Sequence, residues 1–219
     1  MTAFSPALLA GYRSFMGGRY SEERERYRSL AEVGQKPHTL VIACCDSRVA
    51  PETIFDCGPG ELFVVRNIAN MVPPCEPDTH LHGTSAALEY AVQVLNIRNI
   101  IVMGHGNCGG VKAALDPLLQ PLSAGDFIGR WISLVRPAAE QIRGSDFMTA
   151  VERQTALERV SIRNSLANLK TFLFVKEALD RGDLVLGGAW FDVASGELWI
   201  MNDDGGFIRP SIEEAVPID

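Results

Sequence analysis

Three short runs in the first half of the chain are apolar at nearly every position: His38-Thr-Leu-Val-Ile-Ala-Cys44, Glu61-Leu-Phe-Val-Val-Arg66 and Asn99-Ile-Ile-Val-Met-Gly104. Runs of this length without alternation predict strands buried on both faces. Between the last two, Thr84 to Leu95 (TSAALEYAVQVL) sets apolar residues on a 3.6-residue period among strong helix formers and predicts a helix. Ser5 to Val33 mixes apolar and charged residues at helical spacing, predicting one or two helices interrupted at Gly17-Gly18. Asp126 to Arg143 and Phe147 to Arg181 predict further helices, the second a long one. The chain closes with strand-like Leu184 to Phe191 and Gly196 to Met201, joined by a turn around Ala194-Ser195-Gly196. Apolar strands separated by helices imply an α/β fold, with a central, mainly parallel sheet flanked by helices and an N-terminal helical extension. No internal repeat or low-complexity linker divides residues 1–219, so a single domain is expected. A ligand site in such a sheet lies off the carboxyl ends of its strands, and two of the three runs end in cysteine or lead into Gly-His.

Charge narrows the possible partners. A net charge of −7 leaves no basic stripe for phosphates, which argues against nucleic acid and against an anionic membrane surface. No apolar run reaches the ~18 residues needed to span a bilayer. The N-terminal MTAFSPALLAGYRSFMGGRY has neither a positive region ahead of its apolar stretch nor a small-residue cleavage site, so no signal peptide is expected. Five cysteines, an odd number in a chain large enough to fold without staples, suit reduced thiols in a cytoplasmic setting.

Those thiols then become candidates for metal binding. The first run ends at Cys44, followed by Cys45-Asp46-Ser47-Arg48; the third ends at Gly104, followed by His105-Gly106-Asn107-Cys108-Gly109-Gly110. Two thiolates and an imidazole form a natural zinc set that leaves a fourth position for water. Asp46 could close that position as a ligand or accept a hydrogen bond from the metal's water, and Arg48, two residues on, could keep it ionised and off the metal. Plainer readings stand beside these: buried thiols as core filler, Asp46 as a cap, Arg48 as a surface ion pair. Gly104-x-Gly106-x-x-Gly109 is also formally a dinucleotide fingerprint, but no strand with a terminal acid follows about twenty residues later.

The pair of motifs C-x-D-S-R at Cys44 to Arg48 and H-x-x-C-G-G at His105 to Gly110 resembles the β-class carbonic anhydrases. The segment Pro59-Gly-Glu-Leu-Phe-Val-Val-Arg-Asn-Ile-Ala-Asn70 is similar to that family between its ligands, as are, less sharply, residues 163–168 and 191–197. The resemblance implies one zinc ion held by Cys44, His105 and Cys108, with Asp46 and Arg48 as catalytic dyad. It implies reversible hydration of carbon dioxide to bicarbonate and a proton by zinc-bound hydroxide, in a lyase that is a homodimer or higher homo-oligomer. One branch of the family carries a tryptophan three residues before the first ligand and an allosteric bicarbonate pocket; Val41 stands here. Gln35, Phe63, Ile68 and Tyr90 instead match the substrate cleft of the plant-like, open-site branch, and Gly109 is placed to offer a backbone N–H. The family pattern has the cleft at the subunit boundary, with Gln35, Phe63 and Tyr90 shared across it and the N-terminal helices packed on the neighbour. From the residues alone, core packing is the better reading of Phe63 and Tyr90, and only the resemblance reverses it. Two thiolates neutralise the metal's charge, so activity is expected to rise with pH from 7 to 9.

A relative that hydrolyses carbonyl sulfide or carbon disulfide would share these motifs, because its substrates are linear cumulenes too. A structural zinc module would need Asp46 as a fourth ligand. His38, His80 and His82 are chemically able to shuttle protons but read as surface residues. Cys45, Cys57 and Cys75 receive no role.

Overall fold

The computed structural model describes residues 4–78 and 80–211. Three helices open the chain: α1 (Pro6–Gly17), α2 (Arg19–Glu22) and α3 (Arg24–Val33). They are followed by β1 (Thr39–Cys44), α4 (Pro51–Ile54), β2 (Leu62–Asn67), α5 (Gly83–Glu89), β3 (Asn99–His105) and α6 (Gly109–Leu115). The second half comprises α7 (Phe127–Ile132), α8 (Arg136–Arg143), α9 (Ala150–Leu169), α10 (Leu173–Asp180), β4 (Val185–Phe191), β5 (Leu198–Met201) and β6 (Phe207–Ile208). The six strands form one sheet in the order β2-β1-β3-β4-β5-β6. The first four are parallel, and β5 and β6 are added antiparallel at one edge. The expected α/β class and mainly parallel sheet are therefore present.

Alternation along β1 and β3 divides the core. Leu40, Ile42, Ile100 and Val102 face a large cluster with Ile162 and Leu166 of α9, Val175 of α10 and Leu88 of α5. Val41, Ala43, Met103 and Ala189 face the other way into a thin cluster, closed by Ile54 of α4 and by Leu62, Ile101 and Leu198 of the sheet itself. A third cluster joins Cys44 and Cys108 to Val111 of α6, Ile132 of α7, Ala139 of α8 and Leu157 of α9. This last cluster forms the floor of the site.

Several elements differ in detail from their sequence patterns. Phe147 to Arg181 is not one long helix. Thr149 and Glu152 start α9 with a reciprocal capping box; at its far end Thr171 Oγ1 donates to the Asn168 carbonyl at 2.6 Å, and buried Phe172 turns the chain into α10. Asp126 to Arg143 is likewise divided, by a 3₁₀ turn over Ser133–Val135 just ahead of Pro137. The Thr84–Leu95 helix ends in a wide π turn over Tyr90–Val94, closed by Leu95 N–H to Tyr90 O at 3.0 Å. The short α4 and β6 carry too few residues for a periodic signal. The N-terminal extension breaks at Gly17-Gly18 and again at Glu23.

Candidate metal centre

Neighbouring strands deliver two of the three candidate ligands. Cys44 is the last residue of β1 and His105 the last of β3, and the strands run in parallel register with Ala43 beside Met103. Beyond His105 the chain turns through Asn107, in the left-handed region at φ 57°, to set Cys108 at the start of α6. The side chains converge: Cys44 Sγ and Cys108 Sγ are 4.0 Å apart, and the three ligand atoms lie within 4.8 Å of one another. All three residues are at least 96% buried. Among the described residues this is the only such group of histidine, cysteine and carboxylate side chains.

The donor set fits a thiophilic divalent ion. His105 Nδ1 lies 2.9 Å from the Gly106 carbonyl, an arrangement that puts the proton on Nδ1 and leaves buried Nε2 without a hydrogen-bond partner. A buried acceptor without a well-formed hydrogen bond is costly, and a metal shared with the two neighbouring thiolates removes the cost. The thiols are already polarised toward that state. A hydrogen bond from Cys108 pulls the Cys44 thiol down to about 4 against the opposing effect of burial, helped by His105 and by the Asp46 and Ala69 backbone N–H groups. Cys108 is pushed far up by the Cys44 sulfur and by burial. For His105, burial pulls the imidazole down, but the neighbouring Cys44 sulfur outweighs it and the net direction is up.

Asp46 is held back from the cluster. Arg48 Nε and Nη2 grip its two carboxylate oxygens at 2.8 and 2.7 Å, and the Arg48 backbone N–H adds a third bond at 3.0 Å. The guanidinium keeps this carboxyl well below the usual carboxylate range. Arg48 also donates to the Asn107 carbonyl at 3.2 Å, which ties the dyad to the loop bearing Cys108. The Cys44–Asp46 turn is clamped from behind by Arg66, whose Nε and Nη2 donate to the carbonyls of Cys44 (2.9 Å) and Asp46 (2.6 Å).

Comparison with known proteins agrees with this geometry. The carbonic anhydrase family profile matches residues 39–198. Beta carbonic anhydrase 3 of Arabidopsis thaliana is 40% identical over 197 residues, covering 88% of this chain and 75% of its own. Among solved structures, the β-carbonic anhydrase CcaA superposes with a TM-score of 0.85 at 31% identity, covering 94% of this chain and 91% of that one. A Coccomyxa β-carbonic anhydrase in complex with acetazolamide gives 0.77 at 29% identity, covering 97% and 96%. The chain belongs to the β-carbonic anhydrases.

Within this β-carbonic anhydrase chain, the candidate cleft residues separate into two groups. Ile68 follows β2 in a 3₁₀ turn and sits so close over α6 that a Cβ on Gly110 would meet its Cγ2 at 2.6 Å. The next residue, Ala69, sends its N–H to Cys44 Sγ at 3.4 Å. Ile68 therefore borders the metal centre, together with an apolar cavity of ≈ 500 Å³ lined by Cys45, Asn67, Phe127, Ile128 and Trp131. Gly109 is exposed at the first position of α6 with open space above its Cα. Phe63 and Tyr90 stack on each other at 6.0 Å between ring centroids, away from the metal ligands. Phe63 pairs with Leu40, four residues before Cys44, which is about 13 Å of extended chain. Gln35 is exposed ahead of β1, in a groove with His38, Val94 and Arg98. His38 thus sits at the opposite end of β1 from Cys44, and His80 and His82 are exposed, the latter on Asp78 at 2.8 Å.

Sequence reading missed two groups around the centre. Arg66 carries no motif of its own. Glu158 of α9 accepts the Cys108 backbone N–H, and the only hint of it was a charged residue on the stripe formed by Leu157, Ser161, Ile162 and Ser165.

Proposed function

We propose that this chain catalyses the reversible hydration of carbon dioxide to bicarbonate and a proton at the Cys44–His105–Cys108 centre, with one Zn²⁺ held by these three side chains. One observation carries the reading: a buried Cys-His-Cys triad has an imidazole nitrogen without a hydrogen bond, while the carboxylate of Asp46, two residues after Cys44, is gripped by Arg48 rather than offered as a fourth ligand. Zinc in such a set supplies Lewis acidity that makes water nucleophilic near neutral pH. The rest is done by the protein. Asp46, kept ionised by Arg48, is an acceptor only, so it orients an O–H donor beside the triad and directs the oxygen lone pair toward carbon. The Gly109 N–H faces the oxygen that gains charge. Ile68 provides an apolar wall for a neutral substrate.

The remaining cleft residues come from a second copy. Gln35, Phe63 and Tyr90 lie too far along the fold to reach their own triad, and the thinly covered sheet face and the exposed apolar side of α1 supply surface for a homodimer. Two β-carbonic anhydrases solved from Sordaria macrospora are tetrameric; one aligns at a TM-score of 0.75 and 28% identity, covering 89% of this chain and 94% of that one. No helix among the described residues is long and apolar enough to cross a membrane. Five free cysteines, two of them ligands, suit a reducing compartment such as the cytoplasm.

Stopped-flow carbon dioxide hydration by the zinc-loaded protein, beside a Cys108→Ser variant, tests the proposal. Turnover by the parent and its collapse in the variant are expected. Absence of turnover with carbon dioxide, joined to hydrolysis of carbonyl sulfide or carbon disulfide, would move the assignment to the sulfur substrates.

A further inference from the structure

Glu158 is 2% exposed, in the middle of α9, and among the described residues no lysine or arginine pairs with its carboxylate. Oε1 accepts the Cys108 backbone N–H at 3.0 Å and Gln154 Nε2–H at 3.1 Å, and Oε2 accepts the Trp190 indole N–H at 3.0 Å. Gln154 Nε2 also approaches the Cys108 carbonyl at 3.4 Å. The adjacent Arg159 does not pair with the acid. Its guanidinium lies over the rings of Trp190, Trp199 and Phe207, at 4.8, 5.1 and 5.2 Å from their centroids.

A buried, unpaired carboxylate is tolerated only where N–H donors replace its water. An apolar residue of similar volume would fill the same stripe of α9 with less desolvation, so packing alone does not account for the acid. What an apolar residue could not do is accept the Cys108 N–H. That amide stands at the entry to a seven-residue helix whose N-terminus has no side-chain cap. Three N–H donors hold the Glu158 carboxylate in place. One turn on, Ile162 lies against Gly104 of β3 and Gly188 of β4, where a Cβ would meet its side chain at 2.8 or 2.9 Å. The helix therefore lies close to the β3 and β4 strands and presents the carboxylate to the back of the ligand loop.

We infer that Glu158 is a positioning residue of the metal centre: by accepting the Cys108 backbone N–H, it fixes the ligand loop so that the Cys108 sulfur meets Cys44 and His105 at bonding geometry. The inference rests on the triad being a metal site, and its test separates the two. Glu158→Gln keeps the shape but has a single acceptor oxygen. Either orientation of the amide turns its NH₂ against a donor, the Trp190 indole on one side or the Cys108 N–H on the other. Adding Trp190→Phe removes the indole donor and lets the amide oxygen face Cys108 again. Zinc affinity by chelator competition, and the thiolate-to-metal charge-transfer band of the cobalt-loaded protein, are read on the parent, both single variants and the double variant.

Glu158→Gln is expected to bind zinc about 10–100-fold more weakly with a shifted cobalt band, and the double variant to return to within about threefold of Trp190→Phe alone. Parent-like affinity in Glu158→Gln, or a double variant as weak as Glu158→Gln, overturns the inference. If Glu158→Gln does not fold, comparison of the double variant with Trp190→Phe decides alone. A parent that binds zinc no better than Cys108→Ser would instead overturn the metal-site reading, and the inference with it.

Discussion

Arg48 determines what Asp46 can do. A free carboxylate beside two thiolates and an imidazole could fill the fourth position of a tetrahedral ion; one gripped at both oxygens cannot without breaking that fork. Arg48→Gln is therefore expected to lower kcat for carbon dioxide hydration by about 10²-fold or more, within the range of positioned acid–base groups. Stopped-flow rates at pH 8 within threefold of the parent would show that the fork is dispensable. The thiol pair makes a second residue-scale prediction. With Cys44 lowered to about 4 and Cys108 pushed up by it, the metal-free pair holds one proton, not two, at neutral pH. Zinc requires both thiolates and a neutral imidazole. Uptake at pH 8 should then release about one proton from the pair, plus whatever His105 still carries, and log affinity should rise by about one unit per pH unit. The slope steepens toward lower pH because His105 is itself raised and becomes protonated. Two ordinary thiols of pKa about 8.5 would instead release about 1.5 protons at pH 8, so calorimetry in buffers of different ionisation enthalpy separates the cases. At this scale the convergence of Cys44, His105 and Cys108 and the pairing of Asp46 with Arg48 were legible in the sequence because each motif is local: C-x-D-S-R and H-x-x-C hold their atoms within a few residues. Arg66 and Glu158 were not, because a charge on a strand or helix reads as a solvated face until its distant partner is known.

The site's floor depends on how closely α9 approaches the sheet. Gly188 in β4 sits beneath Ile162 Cγ2 and Leu166 Cδ1, with Met201 Cβ of β5 at 3.2 Å from a Cβ placed there. Gly188→Ala is expected to destabilise the fold by about 1–3 kcal/mol, because a β-branched isoleucine cannot yield without moving the helix. Denaturant unfolding that shows no loss, or a gain, would mean that the interface has room to spare. The apolar strands β1, β2 and β3 were readable from their lack of alternation, and α9 could have been started at Thr149 from its T-x-x-E box. The break at Thr171-Phe172 was not readable. No glycine or proline marks it; a side-chain hydroxyl bonding back to Asn168, and a phenylalanine drawn into the core, end the helix for tertiary reasons.

Across the whole molecule, the N-terminal helices stand apart from the core. None of their residues is buried, and Leu8, Leu9, Tyr12 and Met16 of α1 are 62%, 41%, 60% and 37% exposed. A ring cluster of Phe15, Tyr20 and Tyr27 ties the three helices to each other, while Arg26 ties α3 to the body through Glu61 at 2.7 Å and the Pro59 carbonyl at 2.8 Å. The extension is thus anchored at its base and apolar at its tip, a shape suited to embracing a second copy. The amphipathic pattern of this segment was legible; that it buries nothing of its own was not, because periodicity does not say which molecule supplies the opposing face. If each cleft combines one copy's triad with Gln35, Phe63 and Tyr90 of the other, two defective chains can repair each other. Cys108→Ser lacks a competent triad, and Gln35→Ala/Tyr90→Ala lacks the shared wall. In their heterodimer, the intact triad of the second faces the intact wall of the first. Mixed by co-refolding in equal amounts, with random pairing giving half heterodimers and one restored site in each, they should recover about a quarter of parental activity. If every residue of the cleft came from one chain, no pairing could restore a site, and the mixture would show only the mean of its two inactive parents.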